Sequence, residues 1–174
     1  HLRRQRAAVL TRLDELHQLV EAIDTALEKT MNEQPLTAAE MKDLFGDEYR
    51  EEWATEAEQR WGDTDAWRQS RARTQRFTKD DWEQVKQEAE AVNAAFVTAI
   101  KAGLPATSEA AMDAAEQHRL SIHERFYDCS HAFHRNLGDM YVADPRFTQT
   151  YDALTPGLAA YVRDAIHANA DRHC

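Results

Sequence analysis

From 46 to 84 the chain contains no Leu, Ile, Val or Met, yet this stretch holds all four of its tryptophans, Trp53, Trp61, Trp67 and Trp82, together with Tyr49 and Phe77. Close packing needs small and branched side chains between rings, so a segment made of rings and charges cannot close a core by itself. Two uses remain for it. It can lie as a surface helical hairpin with its rings dropped onto the rest of the domain, or it can present them as a binding surface. Either way the core must come from the flanking sequence.

The remainder of the chain is long enough to supply one. A domain of 174 residues buries roughly 70% of its unfolded surface. No apolar run approaches the ~18 residues that would suggest a membrane span, so no membrane partner is expected. The net charge of −10 argues against a nucleic-acid surface on these residues, because phosphate contacts require an excess of Lys and Arg. The one basic cluster is Arg3, Arg4, Arg6 and Arg12. Cys129 and Cys174 make no disulfide framework, which places the chain by default in a reducing cytoplasm. Position 1 is His and the helical pattern begins at once without a cap, as expected of a fragment of a longer chain.

Apolar residues at Val9, Leu13, Leu16, Val20, Ile23 and Leu27 alternate steps of four and three. That heptad seam predicts a helix over 1–31 that pairs with a second copy as a coiled coil, or else lies on its own domain. After the break at Asn32–Pro35, every segment reads as helix. Thr37 and Glu40 form a capping box for a short helix closed by Gly46, and an acidic helix runs from Asp47 to Trp61 with Gly62 beyond. A short helix carries Trp67. Thr78 caps a long helix with the stripe Trp82, Val85, Ala89, Val92, Phe96, Ile100. Ser108 caps the next, with Met112, Ala115, Ile122 and Phe126 inward; Ser130 caps one through Phe133, Leu137, Met140 and Tyr141. Asp144-Pro145 and Thr155-Pro156 both read as an N-cap followed by Pro, and the last helix presents Leu158, Tyr161, Val162, Ala165 and Ile166. No strand pattern appears, so the fold class is all-α.

The phrases RWGDTDAWRQS at Arg60–Ser70, Tyr127-Asp128-Cys129 and LGDMYV at Leu137–Val142 resemble the TipAS-type antibiotic-recognition domain found at the C-terminus of MerR-family transcription regulators. The resemblance extends through MDAAE at Met112–Glu116, His118 and PGLAAY at Pro156–Tyr161. It implies a globin-like helical bundle over 32–174 that captures thiopeptides or other bulky antibiotics, with 46–80 as a lid ordered by ligand. Residues 1–31 fall where that family carries its dimerisation helix, and DNA contact would come from an upstream domain. The implied function is sensing and sequestration rather than catalysis, without cofactor.

The expected ligand-facing set is Trp61 and Trp67 on the lid, with Tyr127, Cys129, Phe133, Asn136, Met140 and Tyr141 on the facing wall. His118 is either a satisfied core histidine or a polar ligand contact. Members of the family that attach thiopeptides covalently carry a second cysteine seven residues after the first, and here that position is Asn136. The role of Cys129 is therefore open between an inert buried thiol and a nucleophile, since only an accessible thiolate in an electropositive site reacts. Two other classes compete. Cys129, His131 and His134 are acceptable zinc ligands for a metal-dependent enzyme, although no His-Glu-x-x-His or Cys-x-x-Cys motif accompanies them, so no metal is expected. A plain dimerisation module would explain the heptads but leave the tryptophans idle.

Overall fold

A computed structural model of the chain describes residues 12, 16–24, 35–46 and 49–173. Within these, every regular element is an α-helix. In chain order they are α1 (Ala38–Phe45), α2 (Glu51–Trp61), α3 (Asp65–Thr74), α4 (Lys79–Lys101), α5 (Glu109–Arg125), α6 (His131–Ala143), α7 (Pro145–Leu154) and α8 (Leu158–Asp171). Residues 16–24 are helical as well, with Leu16, Val20 and Ile23 of the seam exposed. Val9, Leu13 and Leu27, and with them most of the proposed coiled coil, lie outside the described residues, as do Asp47 and Cys174.

The caps form where short polar side chains can reach the free amides at helix starts. Thr37 and Thr78 each build a capping box, with Glu40 and Asp81, and the hydroxyls of Ser108 and Ser130 accept from Ala111 and Phe133. Asp144 caps α7 with Pro145 in the first turn. Two boundaries differ from expectation. The acidic helix begins at Glu51 rather than Asp47, after an extended Arg50 that makes no side-chain cap. Thr155 does not cap the last helix, nor does Pro156 open it: Gly157, at φ 79°, turns the chain, and α8 starts at Leu158. The capping acceptor comes instead from the preceding helix, where Asp152 Oδ1 accepts from the Ala159 amide at 3.0 Å.

α8 is the spine of the bundle. Leu158, Ala159, Val162, Ala165, Ile166, Asn169 and Ala170 are all buried on it, and it packs against α6, α5, α7 and α4. Val92 and Phe96 of α4, Ala111, Ala114 and Ala115 of α5, and Tyr141 of α6 complete the core. Four expected core positions shift. Ala89 of the α4 stripe is exposed, because at that turn α4 meets α5 through the polar contacts of Glu88 with Ser121 and Arg125. On α5 the deepest residues are the alanines, while Met112, Ile122 and Phe126 are only half-buried. Small side chains let the helices approach closely; at Gly138 of α6 a Cβ would stand 3.3 Å from Ile166 and 3.5 Å from the Arg163 backbone.

The ring-rich segment adds no fully buried residue in α2 or α3. It attaches by ring-on-ring contacts in place of the absent aliphatics. Trp82 meets Phe45 at 6.0 Å, Phe77 at 5.2 Å and Phe126 at 6.3 Å, the first two edge-on, a geometry favoured by the aromatic quadrupole.

Candidate functional site: a tryptophan-walled cleft

α2 and α7 enclose a cleft of about 770 Å³. One wall is the face of α2 that carries Trp53, Glu56, Ala57 and Trp61; the other is Arg146, Phe147, Gln149 and Thr150 of α7, with Arg50 at one end. Residues 53, 57 and 61 recur at four-residue spacing and therefore share one side of the helix. Both rings remain 39% exposed. Arg50 lies 5.3 Å above the Trp53 ring and Arg60 lies 6.0 Å from that of Trp61, so the rings are held flat by cations rather than by aliphatic packing.

Across this cleft runs one polar fastening. Arg146 donates to both carboxylate oxygens of Glu56, at 2.7 and 3.1 Å, and to Asp144 Oδ2 at 2.6 Å. That guanidinium holds the Asp144 carboxyl at about 2 and lowers that of Glu56 as well. The charge on α2 facing the cleft is thus neutralised from α7. Ion pairs that remain partly open to solvent in this way are modest in strength and screened by salt. α2 is accordingly set against the bundle without being fixed to it.

α3 docks lower down by polar contacts. Arg73 donates to the His123 carbonyl at 2.6 Å and to Asp128 at 2.8 Å, while Gln69 accepts from the Asp128 amide at 2.8 Å. Trp67, on this helix, is half-buried and does not line the cleft.

Of the expected ligand-facing residues, Trp61 alone is in the cleft wall. Tyr127 and Phe133 pair at 5.3 Å near the start of α6. Met140 packs against the core, and buried Tyr141 connects His118 at 6.0 Å to Phe147 at 5.8 Å and Tyr151 at 5.2 Å. Through Phe147 the core therefore reaches the cleft in two rings. Asn136 is exposed on α6. His118 Nδ1 and His134 Nε2 are 2.8 Å apart, and burial keeps both rings neutral, with pKa values of about 4 and about 3. Trp53, Glu56, Arg146 and Phe147 were missed by sequence reasoning. Trp53 was available from the ring-rich composition; nothing local marks the other three.

Cys129 is 1% exposed, and burial pushes its thiol up to about 11. Its amide donates to His123 Nδ1 at 3.1 Å and its carbonyl accepts from Arg119 at 2.7 Å, so its backbone is pinned from both sides. In a Cys174→Ser background, iodoacetamide at pH 8 is expected to leave the native chain unmodified and to alkylate it fully in urea; rapid native labelling would show an accessible thiolate instead. The zinc grouping of Cys129, His131 and His134 does not assemble. Among the described residues, His131 is brought together with Glu116 and His173, while His134 is turned to His118.

The TipAS antibiotic-recognition domain model matches residues 53–169. The HTH-type transcriptional activator TipA of Streptomyces coelicolor is 46% identical over 173 residues, covering 99% of this chain and 68% of that protein. The HTH-type transcriptional activator mta of Bacillus subtilis is 29% identical over 172 residues, covering 95% and 65%. Among solved structures, that of nosiheptide in complex with TipAS from Streptomyces lividans matches with a TM-score of 0.73 at 50% identity, covering 80% of this chain and 98% of that one. Among the described residues no helix is long and apolar enough to cross a membrane.

Proposed function

The chain belongs to the TipAS antibiotic-recognition domain family, and from that membership we propose that it captures a bulky, ring-rich antibiotic such as a thiopeptide in the α2–α7 cleft. The observation that carries this reading is the pair of half-exposed tryptophans, Trp53 and Trp61, facing Phe147 across about 770 Å³. That volume lies within the range of sites that enclose drug-sized ligands. The domain binds and holds its ligand without transforming it. It serves as the effector-sensing part of a transcription regulator, and DNA contact belongs to a region outside these residues.

Residues 46–80 act in this reading as a lid. Support comes from α2 and α3, which bury no residue fully, and from the half-buried Arg146–Glu56 pair that sets α2 against α7. Segments with few buried apolar contacts open at low free energy. Nosiheptide titrated into the chain is expected to change tryptophan fluorescence saturably and, in the same complex, to slow amide exchange over 49–77. α4, α5 and α8 should be protected in both states. Exchange in 49–77 as slow without ligand as in α4 would remove the lid from the proposal, and absence of a fluorescence change across a panel of bulky natural products would remove the ligand class. Trp67, Tyr127, Phe133 and Asn136 contribute beside the cleft once the lid has closed, while Met140, Tyr141 and His118 act from the core, reaching the ligand through Phe147. Cys129 stays a buried thiol, and capture is reversible.

Dimerisation through residues 1–31 completes the reading. Its support is the stripe Leu16, Val20, Ile23, each about half accessible on a helical segment, which a partner helix would cover. Light scattering is expected to give a dimer for the full chain and a monomer for one starting at Asn32. Equal masses per particle would refute it.

A further inference from the structure

Three side chains from three elements meet where the chain end returns to the bundle: Glu116 of α5, His131 at the first position of α6, and His173 just beyond α8. One ligand-capable atom of each lies within 4.8 Å of the other two. The two imidazoles are stacked, with centroids 4.4 Å apart and planes 16° from parallel. Glu116 Oε2 lies 3.0 Å from His131 Nε2.

The protons around this cluster can be placed. His173 Nδ1 is 2.8 Å from the Asn169 carbonyl; a carbonyl only accepts, so Nδ1 carries the hydrogen and Nε2 of the neutral ring is a bare lone pair. Glu116 faces His131 through Oε2. Its carboxylate is oriented by Arg119, whose guanidinium grips it at 2.5–3.1 Å, and by Asn169 Nδ2 at 2.7 Å on Oε2. Buried Asn169 therefore aims two of the three groups at once, Glu116 with its side chain and His173 with its carbonyl. Donors aimed by outer hydrogen bonds to a carbonyl, an amide and a guanidinium are the arrangement that tunes a metal site.

We propose that Glu116, His131 and His173 bind one divalent transition-metal ion of borderline softness, zinc foremost, with the remaining coordination position open to solvent. The ion takes the place of the Nε2 proton that His131 directs at Glu116. That proton moves to Nδ1 of the same ring. Coordination turns the exposed His173 ring out of its stack on His131, since two rings 16° from parallel cannot both aim in-plane lone pairs at one ion, and brings the donors to the ~2.0–2.2 Å that zinc requires. The ion then clasps the chain end to α5 and α6, on groups that line no part of the α2–α7 cleft.

The test uses tag-free, chelator-stripped protein with Cys174→Ser, so that the terminal thiol contributes nothing. Calorimetric titration with zinc chloride is expected to show one ion per chain, and a thermal melt to shift upward with added zinc. His173→Ala, on an exposed residue past the last helix, should keep the helical circular dichroism and weaken zinc binding by at least about tenfold, since loss of an outer hydrogen bond alone costs 10–100-fold. His131→Ala should do the same. Absence of stoichiometric zinc binding, affinity unchanged in His173→Ala, or magnesium binding as tight as zinc would each overturn the assignment.

Discussion

The double variant Trp53→Ala/Trp61→Ala is expected to lose roughly 10²–10³-fold in nosiheptide affinity. Each ring leaves 39% of its surface to solvent, and a ligand seated between α2 and α7 would cover most of it. Anchoring aromatics of this kind cost about 2 kcal/mol or more each on truncation, and a factor of ten corresponds to about 1.4 kcal/mol. The rings share one helix face and one ligand, so their effects need not add; the double variant is the safer reading. Urea unfolding should change little, because neither ring belongs to the core cluster. Fluorescence from the remaining Trp67 and Trp82 keeps the titration readable. A greater loss from Trp67→Ala than from the double variant would move the ligand to α3 and sink the cleft assignment.

Phe96→Ala is expected to lower the unfolding free energy by about 3–5 kcal/mol. The ring is 1% exposed in a core otherwise rich in alanines, with Ala111, Ala114 and Ala115 at 0–3%. Small neighbours on rigid helices cannot fill the void, so the cavity term should be close to its maximum. For a chain of this length the melting temperature should fall by roughly 6–20 °C. Denaturant unfolding without ligand is the measurement, and an unchanged m-value would locate the effect in the native core. A loss under about 1 kcal/mol would mean that α4 does not pack on α8 as described.

Elements announced themselves in the sequence wherever one residue satisfies one local need. Thr37, Thr78, Ser108, Ser130 and Asp144 cap the helices expected of them, because a hydroxyl or carboxylate two or three residues from a free amide needs no distant partner. Thr155 failed for the converse reason: its helix is capped from across a turn by Asp152. The interior was legible in its large members, Val92, Phe96, Val162 and Ile166, and among the small ones in Ala115 and Ala165, but not in Ala111, Ala114, Ala159 or Ala170. Apolar periodicity weights size, whereas the space between close helices rewards Ala114 over Met112. The site divides in the same way. Its material could be read from the missing aliphatics of 46–84, but its location could not, since Glu56 and Arg146 meet across 90 residues of intervening chain. Tyr141 looks like a wall residue by its spacing, yet the helices bury it to 8% exposure.

The alanine- and glycine-lined interior has a consequence for how such a chain can change over generations. A single methyl at Gly138 would crowd Ile166, so an enlargement there strains the bundle unless its neighbours shrink in compensation. α2 and α3 carry no such restriction, since they bury nothing fully and rest on exposed ion pairs and rings. New side chains can be tried there at little risk to folding. On the reading proposed above, ligand preference can therefore change through substitutions in α2 and α3 that leave the packing of the bundle untouched.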